Sequence, residues 1–306
     1  MKVLFYGTPD FALPTLESLL RRHDVVGVVT QPDRPAHRGQ HLTPPPVKRR
    51  ALAAGLPILQ PPRLRDPEWP ERIRAFGADV AVVVAFGQIL PKAVLAAPRR
   101  GSINVHASLL PRYRGAAPIA WAIIRGETVT GITTFQMDEG MDTGPMLLSE
   151  STPIGADETA GELTKRLADL GARVLIDTLA RLDRLSPAPQ RHEDATMAPR
   201  LEKTGGRIDW RRPARDIVNL IRGCNPWPGA VTRAPRGVLM VWRARAVDSE
   251  SAAVGQLMPH DRTLAIATGR GALLPLEVQA ENRRPVSWDE YLRGARLEAG
   301  ARFDPS

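Results

Sequence analysis

Short runs of β-branched and apolar residues recur along the first half of this chain, each followed by a segment of helical period, and no other feature limits its fold as strongly. Val3–Tyr6, Val25–Thr30, Val80–Ala85 and Ile103–His106 read as strands. Thr15–Arg22, Val47–Ala54, Pro67–Phe76 and Pro118–Arg125 read as the helices between them. Strands that alternate with helices build a parallel sheet, because a crossover helix carries the chain back to start the next strand in the same direction. Apolar runs without polar alternation are those of strands covered on both faces. Ile132–Met137 and Met146–Ser149 extend the sheet, and Pro118 suits a first helical turn, where its missing N–H costs nothing.

The longest helical pattern, Thr159–Leu182, places Leu163, Leu167, Leu170, Val174, Leu175 and Leu179 on one stripe. It gives way to SPAPQRHEDATMAPR at 186–200, where three prolines and scattered charge without period read as a linker. Beyond it, Val238–Trp242, Thr263–Ala267 and Ala272–Val278 look like short strands, with one helix near Pro213–Arg222. The 306 residues therefore divide into an α/β domain at 1–185, a linker at 186–203 and a small β-rich domain at 204–306.

Composition narrows the class. No apolar stretch approaches the roughly 18 to 20 residues of a membrane span. The opening MKVLFYGTPD, with four apolar residues in its run, reads as a buried strand and not as a secretory leader. Cys224 is the only cysteine, so no internal disulfide forms and a cytoplasmic setting is expected. The net charge of +9 is unevenly spread. Residues 204–306 hold 16 Arg against 11 Asp/Glu, a net of +5. Arg34, Arg38, Lys48, Arg49 and Arg50 against Asp33 account for the remaining +4. Two basic zones suit a polyanion such as nucleic acid, and suit a solvated surface as well.

A parallel sheet invites a dinucleotide, but YGTPDF after the first strand has only Gly7 where the fingerprint needs three spaced glycines. No phosphate-binding P-loop occurs either. The informative stretch is SINVHASLLPRYRGAAP at 102–118. Residues two apart on a strand share a face, so Asn104 and His106 point together at the strand's C-terminal end, where open α/β sheets bind ligands. An amide donor beside an imidazole suits a carbonyl oxygen that gains negative charge, and the imidazole can move protons near neutral pH. The same pattern suits a polar strand end with a hydrogen-bonded core histidine. Leu109, Leu110 and Pro111 then form an apolar shelf beside Arg112 and Arg114. Farther on, MDEGMDTGP sets Asp138, Glu139 and Asp142 among glycines, as turn formers or as a carboxylate that orients the histidine. Calcium-loop spacing is absent, and Ser108 lacks a nucleophile elbow.

Asn104-x-His106, then SLLPRYRG, then Asp142, resembles the signature of the 10-formyltetrahydrofolate-dependent formyltransferases. The similarity continues through GTPDFALPTLESL, TQPDRPAHRGQHLTPPPVK, AFGQILP, RIDWRRPARDIVNLIRGCNPWPGA and YLRGARLEAG. The resemblance implies a Rossmann-like formyltransferase domain and a C-terminal OB-like β-barrel. It implies Asn104, His106 and Asp142 as the catalytic group, Ser108, Leu109, Leu110 and Pro111 as folate contacts, and no metal. It further implies 10-formyltetrahydrofolate as formyl donor, methionyl initiator tRNA as acceptor, and a monomer. Nucleotide amino-sugars are the alternative acceptors in this family. The basic insertion Gln31–Val47 favours tRNA and places Arg38 as its tRNA contact. Here His37, Gln40 and His41 stand where the family commonly has GRGKKL, two lysines fewer. Trp210, Trp227, Trp242 and Trp288 read as core or junction residues, and Cys224 as a small buried hydrophobe.

Overall fold

The computed structural model describes residues 1–36, 41–249 and 252–304. The chain divides into two compact units, one of 1–118, 130–152 and 164–198, the other of 119–129, 153–163 and 199–306.

The first unit is built on strands β1 (Lys2–Gly7) and β2 (Asp24–Val29), the short ribbon β3 (Arg34–Ala36) and β4 (His41–Thr43), then β5 (Ile58–Leu59), β6 (Val80–Val84), β7 (Ser102–His106), β8 (Val129–Gln136) and β9 (Met146–Pro153). Seven of them form one sheet in the order β5-β2-β1-β6-β7-β8-β9. The pairs β5–β2, β2–β1, β1–β6 and β6–β7 are parallel, and β7–β8 is antiparallel. Helices α1 (Leu13–Arg22), α2 (Pro46–Ala53), α3 (Trp69–Arg74) and α4 (Lys92–Leu95) lie between these strands in sequence; α5 (Pro118–Ile124) belongs to the second unit from residue 119 on, and α6 (Ala160–Arg181) to the first from residue 164 on. The expected parallel-rich α/β sheet is therefore present, and Pro118 opens its helix.

Apolar burial explains why these runs become strands. Val3, Leu4, Phe5 and Tyr6 are all fully buried, so both faces of β1 are covered. One face packs Leu4, Tyr6, Ala81 and Val83 into a cluster with Trp69, Ile73, Phe86 and Leu90. Burying a side chain of leucine or phenylalanine size contributes about 1.5–3 kcal/mol, and a one-residue slip would reverse every face. Register carries this order to the site, because Tyr6 pairs with Val83 and Val83 with Asn104.

The second unit holds α7 (Ala214–Gly223), strands β10 (Ala230–Ala234), β11 (Gly237–Val247), β12 (Leu257–His260), β13 (Thr263–Ala267), β14 (Ala272–Ala280) and β15 (Val286–Ser287), and α8 (Trp288–Ala295). Its sheet runs β10-β11-β14-β13-β12 with β15 on β14, and every pairing is antiparallel. Ile217, Leu220 and Ile221 of α7 join Trp210, Leu239, Val241 and Trp288 in its core. Trp210 donates to Thr232 Oγ1 at 2.9 Å and Trp288 to the Leu264 carbonyl at 2.6 Å, so the buried indole N–H groups of these two residues are satisfied. Cys224 is fully buried, and burial pushes its thiol up to about 11. Trp227 leaves half of its surface exposed. Among the described residues, no helix is long and apolar enough to cross a membrane.

Candidate active site

β7 delivers two polar side chains to the edge where the parallel pairing ends. Asn104 pairs with Phe135 and His106 with Thr133 of antiparallel β8. His106 is 6% exposed. Its Nε2 lies 2.9 Å from the Tyr113 carbonyl, which can only accept, so Nε2 carries the hydrogen and Nδ1 is left to bind and release a proton. Asn104 is half-buried, and among the described residues its side-chain amide has no hydrogen-bond partner.

Asp142 reaches this imidazole from a tightly built loop. Its Oδ2 is 3.7 Å from His106 Nδ1, with the two side chains 17% and 7% exposed. The same oxygen accepts from Gly115 N–H at 2.8 Å, which aims the carboxylate. Asp142 has φ of 54°, a left-handed conformation that Asp tolerates better than most residues. Gly144 has no alternative, since a Cβ there would stand 1.8 Å from the Gln136 carbonyl oxygen. Asp138 is the turn former, accepting from Gly140 N–H at 3.0 Å and from the Thr143 hydroxyl at 2.6 Å. Exposed Glu139 pairs with Lys92 at 3.4 Å. Of the three loop acids, Asp142 is the one set against the histidine.

The segment after His106 folds back under its own hydrogen bonds. The Thr133 hydroxyl donates to the Ser108 carbonyl at 2.7 Å and accepts from Leu110 N–H at 3.1 Å. Ser108 is fully buried, and its hydroxyl is committed to the Arg112 carbonyl at 2.6 Å. Leu110 is 7% exposed and joined to Pro111 by a cis peptide, while Leu109 and Pro111 keep partly open faces. Arg114 does not line an open cationic shelf. It is 6% exposed and turns inward.

Its partner is a residue that sequence reasoning passed over. Gln190 Oε1 accepts from Arg114 Nε at 3.0 Å and from Nη2 at 2.6 Å. Gln190 Nε2 donates to the carbonyls of Asp142 and Gly144 at 2.8 and 2.7 Å. Gln190 falls within the stretch read as linker, where one glutamine among prolines carries no signal of its own.

In the basic insertion, Arg38 and Gln40 lie outside the described residues. Two of the nearby cations are already engaged. Lys48 Nζ is 2.7 Å from Asp33 Oδ2, and Arg50 pairs with Glu17. Gln60 donates to Asp33 at 2.7 Å, and Gln60 and Lys48 together hold the Asp33 carboxyl below its ordinary range. Arg50 is thus engaged in an intramolecular pair.

Asp142 thus faces His106, and Asn104 stands two residues before it on β7, an interior strand between parallel β6 and antiparallel β8. Comparison with known proteins gives the class. A family model described as formyl transferase matches residues 1–179, and one described as formyl transferase, C-terminal domain, matches residues 200–296. The chain belongs to the formyl transferase family. The methionyl-tRNA formyltransferase of Sorangium cellulosum is 51% identical over 306 residues, covering 98% of each chain. That of Citrifermentans bemidjiense is 49% identical over 304 residues, covering 98% of this chain and 95% of the relative. Among solved structures, WlaRD, a sugar 3N-formyl transferase, has a TM-score of 0.67 at 16% identity, with coverage of 93% and 99%. HypX from Aquifex aeolicus in complex with tetrahydrofolic acid has a TM-score of 0.62 at 16% identity, covering 95% of this chain and 47% of that one. At such identities these two structures show a shared fold.

Proposed function

We infer that the chain transfers the formyl group of 10-formyltetrahydrofolate to the α-amino group of methionine esterified to initiator tRNA. The observation that carries this is the pairing of His106 with Asp142 next to the free Asn104 amide, in a chain matching methionyl-tRNA formyltransferases nearly end to end. The donor set fits a folate formyl group, because an amide N–H and an imidazole N–H suit an oxygen that becomes anionic. Leu109 and Pro111 keep partly open apolar faces in the segment that follows His106, and buried Ser108 supports the turn.

The chemistry exchanges one C–N bond for another. The neutral amine nitrogen bonds to the formyl carbon, the bond from that carbon to N10 breaks, and the proton shed by the amine ends on N10. Asn104 and protonated His106 receive the negative charge that develops on the formyl oxygen. Preorganised donors of this kind each contribute about 10² to 10³ in rate. The Nε2–H bond to the Tyr113 carbonyl holds the ring, so Nδ1 is the nitrogen that carries the working proton. Asp142, aimed by Gly115, faces Nδ1 of the ring and accepts the amine proton on its way to N10. Arg38 and the basic C-terminal unit bind the tRNA acceptor end. The aminoacyl-tRNA acceptor and the lone Cys224 support a cytoplasmic location.

The test is transfer of radiolabelled formyl to charged initiator tRNA, run beside a nucleotide amino-sugar. Label on the tRNA is the expected result. Label on the sugar alone would overturn the reading.

A further inference from the structure

The Gln190 amide has all of its hydrogen-bonding capacity in use. Oε1 takes two N–H groups from one guanidinium, and Nε2 gives both hydrogens to backbone carbonyls on either side of Thr143. The orientation is unambiguous, because an exchanged amide would set Oε1 against two carbonyl oxygens and its NH₂ against a cation. Arg114 in turn is a buried cation whose bonds run to Gln190 and to His192 Nδ1, at 3.3 Å, and to no carboxylate among the described residues. A buried guanidinium satisfied by neutral acceptors is an expensive way to hold a chain segment. Here it lies at the base of the loop that aims Asp142.

We propose that Gln190, held by buried Arg114, is a positioning residue for Asp142. The Gln190 amide fixes the backbone at Asp142 and Gly144, while Gly115, next to Arg114 in sequence, fixes the Asp142 carboxylate. Loop backbone and carboxylate are thereby referred to one short segment, 114–115, itself tied by Arg114 N–H to the Thr196 carbonyl and by Ala198 N–H to the Arg114 carbonyl. The device holds the Asp142 Oδ2 to His106 Nδ1 separation. The proposal rests on the reading of His106 and Asp142 as the reacting pair. It adds two residues, Arg114 and Gln190, which act through Asp142 without touching the substrate.

Misplacing a reacting group by about 1 Å can cost about 10²-fold in rate. Gln190→Ala is therefore expected to lower kcat about 10- to 100-fold while KM for the folate and for charged tRNA stay within about threefold. Gln190→Glu separates this role from stability. It keeps an acceptor for Arg114, so its melting temperature should stay above that of Gln190→Ala, yet it sets an oxygen in place of a donor against the two carbonyls and should lose turnover. In an Asp142→Ala background, Gln190→Ala should cost nothing further. Hydrogen exchange over 140–145 reads the same claim without any substrate, and both Gln190 variants should lose protection there. Wild-type kcat in folded Gln190→Glu, an equal loss in the Asp142→Ala background, or unchanged loop protection would overturn the proposal. Wild-type protein that fails to formylate charged tRNA would instead overturn the function, with loop exchange still deciding the role of Gln190.

Discussion

Asp142 shows how little local sequence is needed to aim a carboxylate once its backbone is fixed. A left-handed φ, one N–H from Gly115 and a glycine two residues on set its carboxylate toward His106. Gly144 is therefore a site of sharp intolerance. Gly144→Ala must push its methyl against the Gln136 carbonyl 1.8 Å away, so the loop has to move. Overpacking of this kind costs about 1–3 kcal/mol, and the expected outcome is a lower melting temperature with kcat reduced more than tenfold. An alanine variant with both properties intact would show that the loop is not rigid. Asn104→Ala should behave differently, losing about 10² to 10³ in kcat with little change in melting temperature, since the amide has no described partner to lose. Steady-state kinetics beside thermal melts distinguish the two. Asn104 and His106 were legible because strand alternation puts them on one face. Asp142 stood among two other acids that periodicity could not separate, and its assignment came from resemblance. Gln190 was illegible, because its role depends on a backbone distant in sequence.

Helices and strands were readable where burial or capping decided them. The long α6 pattern is realised at Ala160–Arg181, and its start is marked by a reciprocal cap. Thr159 N–H and hydroxyl both donate to Glu162 Oε2 at 2.8 Å, and Glu162 N–H returns to Thr159 Oγ1 at 3.3 Å. α8 carries a related signal that went unread, with Ser287 Oγ accepting from Glu290 N–H at 3.3 Å. β10 and β12 escaped notice because both are short and lack a long apolar run, β10 alternating in burial and β12 burying Leu257 alone. The α6 cap has a consequence in acid. The Thr159 backbone N–H, then the Arg243 guanidinium, then the Thr159 hydroxyl bring the Glu162 carboxyl from 4.5 down to about 2. A carboxyl lowered on folding stabilises the native state above its unfolded value and loses that contribution as pH falls through the folded one. Glu162→Gln should therefore be less stable than wild type at pH 7, with the gap closing between pH 4.5 and 2. The side chain is 48% exposed, so solvent screening keeps the gap small. Urea melts across that range check it, and a gap constant with pH would refute the assignment.

At the scale of the whole molecule, the two basic zones gain meaning from what the fold does with their charges. Of the cations at 48–50, Lys48 is neutralised by Asp33 and Arg50 by Glu17, which leaves Arg49 as the cation of that trio with no described partner. In the C-terminal unit, Arg243 pairs with Glu162, Arg211 with Asp209 and Arg212 with Asp216, whereas the overall balance of residues 204–306 stays at +5. The excess that remains is what a phosphate backbone can feel, and each phosphate neutralised adds about 0.7 to 0.9 to the slope of log affinity against log salt. About three such contacts would weaken tRNA binding roughly 20- to 40-fold between 50 and 200 mM salt. The folate donor, with only its few carboxylates, should change by less than about threefold over the same range. KM for charged initiator tRNA should thus climb steeply with potassium chloride while KM for 10-formyltetrahydrofolate stays nearly level. Parallel slopes would mean that the basic surface is solvated charge with no part in recognition, and that selection of the tRNA lies in the reacting end alone.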